Sequence, residues 1–166
     1  GSVRELCTAA AEGCRRLGYE PVVLTTQLCC QARQAGEWLA GEVKKRACPG
    51  RKLALIAGGE TVVRLTGKGK GGRNQELALA AAPLLRGMSG CALFSVGSDG
   101  TDGPTDAAGG YVDGDTARDL EAMGISIEEV LGENDAYNAL AMVGGLLIPG
   151  PTGTNVDDVA VALLDV

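Results

Sequence analysis

The chain has 166 residues, 45% of them hydrophobic, enough to bury one substantial core and within the usual range of a single domain. Fifteen basic against twenty-one acidic side chains leave a net charge of -6, which argues against general binding to nucleic-acid phosphates, so any anion must be met locally. Histidine is absent, which excludes serine–histidine and cysteine–histidine catalysis, histidine-ligated zinc and imidazole acid/base work.

The chain opens Gly1-Ser2 and enters a helical register at Val3, as an expression scar ahead of a segment excised from a longer protein would. Residues Val3 to Leu17 set Leu6, Ala9, Ala10, Cys14 and Leu17 on one stripe at helical spacing, and Gly18 predicts the stop. Pro21 to Thr25 reads as a strand and Gln31 to Arg46 as a helix that ends in the turn Cys48-Pro49-Gly50. Leu53 to Ala57 is a second strand, too apolar to have a wet face. Gly58-Gly59 predicts a hairpin into a third strand, Thr61 to Thr66. A helix over Asn74 to Leu85 and a buried strand over Cys91 to Val96 follow. Beyond a glycine- and aspartate-rich loop, Thr116 to Met123 reads as a helix; Ser126-Ile-Glu-Glu129 has a capping-box pattern, and Asn134 is placed to cap a helix reaching Met142. Leu146 to Ile148 and Val159 to Leu164 close the series as strands.

Apolar strands alternating with helices predict one layered α/β/α-type domain over residues 3–166, its sheet mixed because of the glycine hairpin and flanked by helices. No apolar run approaches the roughly 18 residues of a transmembrane helix and no signal peptide opens the sequence, so a soluble protein with no membrane partner is expected. Cys7, Cys14, Cys29, Cys30, Cys48 and Cys91 form no C-x-x-C pair, which favours free thiols in a reducing compartment; the cytoplasm is expected, with the mitochondrion left open.

Three polar loops carry the chemistry. The first, GKGKGGRNQE over Gly67 to Glu76, contains G-x-G-x-x-G, but two lysines and an arginine crowd it and no acidic residue ends a strand about twenty positions later to hold a ribose. An anion seat fits better: Gly71 and Gly72 let backbone amides converge, the helix beginning near Asn74 adds its positive end, and Arg73 offers a planar fork for phosphate or carboxylate. Lys68 and Lys70 read equally well as solvated lysines. The second loop runs from Ser95 to Gly109 and sets Asp99, Asp102 and Asp106 three and four residues apart at a strand end, a set suited to Mg²⁺ or to a substrate hydroxyl, though turns also use these residues. The third, Gly150 to Asp158, rings a glycine with Thr152, Thr154 and Asn155.

Taken together, GGETVVRLTGKGKGGRNQELALAAA, SVGSDGTDGPTDAAGGYVDGDT and GPTGTNVDD resemble the C-terminal MOFRL domain of the glycerate 2-kinases, over about Leu53 to Val166. Residues 3–48 resemble the helix-strand-helix segment that precedes this domain in the same family. The resemblance implies ATP-dependent phosphorylation of D-glycerate to 2-phosphoglycerate with Mg²⁺, in a cleft shared with a larger N-terminal domain that supplies the family's important lysine. It implies that Arg73 steadies the transferring phosphoryl group or the glycerate carboxylate and that Asp102 or Asp99 engages the substrate hydroxyl or the metal. Glu60, Asn74, Gln75, Glu76, Thr152, Thr154 and Asn155 are further cleft-lining expectations. A hydroxypyruvate reductase-type oxidoreductase and a non-enzymatic module for small anions are the alternatives.

Overall fold

The computed structural model describes all 166 residues. Its elements run α1 (Val3–Arg16), β1 (Glu20–Leu28), α2 (Ala32–Arg46), β2 (Lys52–Gly59), α3 (Arg73–Leu85), β3 (Cys91–Gly97), β4 (Gly109–Asp113), α4 (Thr116–Ala122), α5 (Ile127–Gly132), α6 (Ala136–Met142), β5 (Leu146–Leu147) and β6 (Asp158–Asp165). The strands form one sheet in the order β1-β2-β6-β3-β4-β5. Only β1 and β2 pair in parallel; every other neighbour is antiparallel, so the sheet is mixed as expected. No helix is long and apolar enough to cross a membrane.

Two-residue alternation along the central strands divides the core into two layers. Leu53 and Leu55 of β2, Ala160, Ala162 and Leu164 of β6 and Leu93 of β3 face the larger layer, where α2, α3 and the short helices α4 to α6 pack. Ala54 and Ile56 of β2 and Val159 and Val161 of β6 face the opposite side, which α1 covers with Cys7, Ala11 and Cys14. The stripe expected on α1 is therefore rotated: Leu17 caps the helix and is 69% exposed, Ala9 is exposed, and Gly18 makes the left-handed stop. Ser2 caps the other end, its hydroxyl accepting from the Glu5 amide.

α3 is the hub of the larger layer, with ten of its thirteen residues buried. Alanines at 78, 80, 81 and 82 keep its sides flat enough for α2 to approach closely. Gly36 of α2 marks that approach, since a Cβ there would lie 2.1 Å from the Leu77 carbonyl oxygen. Gly36→Ala is accordingly expected to cost about 2 kcal/mol or more through forced separation of the two helices; a lower urea midpoint at unchanged m-value checks it.

Three expectations need correction. The segment Thr61 to Thr66 is not a strand, and Gly58-Gly59 is not a hairpin: β2 runs straight through both glycines because β1 and β6 already occupy its two edges. Only Val62 bridges in parallel to Gln31. Gly109 to Asp113, expected as loop, is strand β4; Gly109 permits it, since a Cβ there would sit 1.7 Å from the Ser95 carbonyl oxygen. Asp135, not Asn134, stands at the start of α6, and Asn134 adopts a left-handed conformation with φ 55°.

Candidate functional site

The C-terminal ends of β2 and β3 and the N-terminal end of β6 converge at one edge of the sheet, where Asp158 pairs with both Gly59 and Gly97. The N-terminus of α3 arrives at the same edge and brings Arg73, Asn74, Gln75 and Glu76 with it.

Arg73 is anchored there rather than free. Its Nε donates to Asp158 Oδ2 at 2.6 Å and its Nη2 to Asp158 Oδ1 at 3.0 Å, while Nη1 lies 3.2 Å from Glu60 Oε1. Asp158 is buried, and its hydrogen bonds hold the guanidinium charged, with its pKa raised further. The planar fork read from the sequence is thus half spent on an internal carboxylate, which fixes its orientation; two N–H donors remain for a ligand.

Asp102 fills the seat that the sequence suggested for a substrate anion. Its Oδ1 accepts from the Asn74 amide at 3.0 Å and from Asn74 Nδ2 at 3.1 Å; its Oδ2 accepts from the Gln75 amide at 2.8 Å and from Gln75 Nε2 at 2.9 Å. A carboxylate at the positive end of α3 meets both the helix dipole and the unpaired first-turn amides. Burial pushes the Asp102 carboxyl above the ordinary aspartate range, and the Asn74 and Gln75 donors pull it part of the way back. Ser95 Oγ donates to Asn74 Oδ1 at 2.7 Å and locks that side chain from beneath.

Beside this network lies an open cavity of about 470 Å³ whose wall includes Glu60, Gly71, Gly72, Arg73, Glu76 and Asn134. Val62, Val63 and Leu65 make its other side apolar. Glu76 is 3% exposed, and burial raises its carboxyl above the ordinary glutamate range.

The glycine-rich loop is held by the junction between α5 and α6. Asn134 Oδ1 accepts from the Thr66 and Gly67 amides at 2.7 and 2.9 Å, and its Nδ2 donates to the Arg64 carbonyl and to Glu76 Oε1, each at 3.0 Å. Gly69 donates to the Glu133 carbonyl and Lys70 to Asp135 Oδ1. A Cβ at Gly67 or Gly69 would come within 2.6 Å of the Glu133 backbone. These glycines therefore serve close packing against α5–α6, which removes the dinucleotide reading of their spacing.

The three aspartates do not build one cation centre. Asp102 is committed to α3, Asp106 Oδ1 accepts from Tyr137 Oη at 2.7 Å, and Asp99 Oδ1 accepts from the Thr101 amide at 2.9 Å in a tight turn. No three histidine, cysteine, aspartate or glutamate side chains are grouped so as to hold a metal. Thr152 Oγ1 donates to the Ser98 carbonyl at 2.5 Å, which ties the third loop to the second, while Thr154 and Asn155 are exposed outside the cavity wall. Asp158, Ser95 and the loop-holding role of Asn134 were not foreseen. The Asp157-Asp158 pair at a strand start was the only hint of the first.

Residues 53–158 match the MOFRL family. The chain is 52% identical to a D-glycerate 2-kinase of Thermotoga maritima over 99% of its own length and 40% of that protein. It is 45% identical to a glycerate 2-kinase of Pyrococcus horikoshii, over 95% of this chain and 37% of that one. The crystal structure of a Thermotoga maritima glycerate kinase superposes with a TM-score of 0.93 at 52% identity, covering 99% of this chain and 41% of that one. The chain thus spans about two fifths of the length of these relatives, with its whole fold inside the aligned part. It belongs to the MOFRL family.

Proposed function

We propose that this chain is the C-terminal part of a glycerate 2-kinase, which moves the γ-phosphoryl group of ATP to the 2-hydroxyl of D-glycerate. The observation that carries the reading is Arg73. A guanidinium oriented by Asp158, with donors left over beside an open cavity, is a preorganised cationic fork for a carboxylate or a transferring phosphoryl group. Phosphoryl transfer relies on positioning and charge stabilisation, so a chain without histidine can carry its share of it.

On this reading the apolar wall at Val62 to Leu65 and the loop at Gly71-Gly72 face a cleft completed by an N-terminal domain of the same protein. Glu60 tunes Arg73. Asn74, Gln75 and Asp102 hold the start of α3 in place, and Asp99, Thr152, Thr154 and Asn155 form an outer rim that nucleotide phosphates reach. Mg²⁺ is proposed to travel with those phosphates, because the chain groups no three carboxylates for a resident ion. Six unpaired cysteines suit a reducing, cytoplasmic setting.

The test is coupled ADP release and product identification with D-glycerate, for the full-length protein and for residues 1–166 alone. The full-length protein should give 2-phosphoglycerate. The isolated chain should be folded by circular dichroism yet show negligible turnover, since one wall of a cleft does not assemble the reacting geometry. Binding of small anions by a full-length protein that never consumes ATP would replace the kinase reading with that of an anion-binding module.

A further inference from the structure

Glu76 stands in the first turn of α3 with one oxygen tethered and the other not. Oε1 accepts from Asn134 Nδ2 at 3.0 Å. Oε2 accepts from no protein donor, yet the sole fully buried side-chain polar atom without a partner is Gln75 Oε1. Oε2 is therefore not fully sealed inside the protein, and Glu76 is one of the residues that line the cavity.

The one other carboxylate that lines this space, Glu60, is engaged by Arg73 Nη1, and Asp158, outside its wall, holds Arg73 through two hydrogen bonds. An ion-paired carboxylate is a poor proton acceptor, because the cation stabilises its charged form. Glu76 has no cation in hydrogen-bonding contact. Burial favours its protonated form, the Asn134 amide and the more distant Arg33 of α2 oppose that, and Asp102 adds to it. Arg73 and Glu60 share the cavity wall. A base of this kind works closer to neutral pH than an exposed glutamate does.

We propose that Glu76 is the catalytic residue that accepts the proton of the substrate hydroxyl, and that Asn134 positions it. The assignment rests on the glycerate kinase reading above. The hydroxyl O–H bond breaks and its proton passes to Glu76 Oε2. The freed lone pair forms the bond to the γ-phosphorus of ATP as the bond from that phosphorus to the β–γ bridging oxygen breaks, and ADP leaves with that electron pair. The proton then returns to solvent as product departs. Asn134 suits the positioning task because its four side-chain hydrogen bonds join Glu76 to the entry of the glycine-rich loop. Asparagine is also among the few residues that tolerate a left-handed backbone.

The experiment compares full-length wild type, Glu76→Gln and Asn134→Asp in steady-state kinetics across pH, with thermal melts alongside. Glutamine keeps the Oε1 acceptor, so Glu76→Gln should melt like wild type. Its kcat should fall by about 100-fold or more, its KM for ATP should stay within about threefold, and the acid limb of its pH–rate profile should vanish. Asn134→Asp keeps the left-handed backbone and the Oδ1 acceptor but sets a second carboxylate against Glu76, so the acid limb should move to higher pH. A folded Glu76→Gln enzyme with near-normal kcat and an intact acid limb overturns the assignment and leaves the kinase reading standing. If that variant does not fold, an unmoved limb in Asn134→Asp has the same consequence. A wild type that never phosphorylates glycerate overturns the kinase reading and this assignment with it.

Discussion

Asp102→Ala should destabilise the domain by about 4 kcal/mol, measured as the loss of unfolding free energy in urea. The substitution strips a carboxylate acceptor from four donors at once, and leaves three of them, the Asn74 and Gln75 amides and Asn74 Nδ2, with no other side-chain acceptor, while Gln75 Nε2 keeps Thr105 Oγ1; both residues are at most 1% exposed. Each hydrogen bond to a charged group contributes about 1.5–3 kcal/mol, and donors left dry cost as much again, so partial relaxation still leaves a loss of this size. Against a total stability of roughly 5–15 kcal/mol, such a variant is close to unfolding at physiological temperature. Asp102→Asn is the sharper comparison. Either orientation of the new amide turns its NH₂ toward existing N–H donors, so near-isosteric replacement should still cost about 2 kcal/mol. A neutral result for Asp102→Asn would mean that the carboxylate does not hold α3 as the geometry indicates.

On the proposed kinase reading, Arg73→Lys in the full-length protein should lower turnover by roughly 100-fold, equivalent to about 3 kcal/mol of transition-state stabilisation. Lysine keeps the charge but cannot grip both Asp158 oxygens and still present a second, oriented donor to the cavity. Asp158→Asn should reproduce part of the loss, because it loosens the guanidinium without removing it. Lys68→Ala should stay within about threefold of wild type, since exposed charges contribute little. Normal turnover in Arg73→Lys combined with a large loss in Lys68→Ala would move the anion contact from the helix start to the glycine-rich loop.

The layers of this fold were legible because apolar runs such as Leu53 to Ala57 and Cys91 to Val96 admit no other placement than a covered sheet. The strand order was not, because nothing local tells β6 to insert between β2 and β3. That insertion explains the false hairpin at Gly58-Gly59: a glycine pair looks the same whether it turns a chain or lets a strand end pass under a neighbour. At the site, Arg73 was visible as a cation at a helix start, but its partner lies 85 positions away. Asp102 was visible as an acid on a glycine-rich loop. Its commitment to α3 depends on a contact across 28 positions, so the sequence could suggest a metal or hydroxyl role that the fold assigns to capping. Asn134 was misread for the same reason, since an asparagine before a helix is ordinarily a cap and only the arrival of Thr66 and Gly67 gives it other partners.

The position of β6 sets the order in which the molecule can be made. Its eight residues, Asp158–Asp165, come last of all the elements and form the seam between the β1–β2 pair and the β3–β4–β5 group. During synthesis the two groups emerge first, each with a raw edge and a row of unsatisfied amides, and no continuous sheet exists until the final strand leaves the ribosome and threads between them. Closing contacts of that sequence separation is slow. The nascent chain thus spends its most vulnerable interval with its candidate site unmade, because Asp158, which orients Arg73, is also the first residue of the strand that closes the sheet.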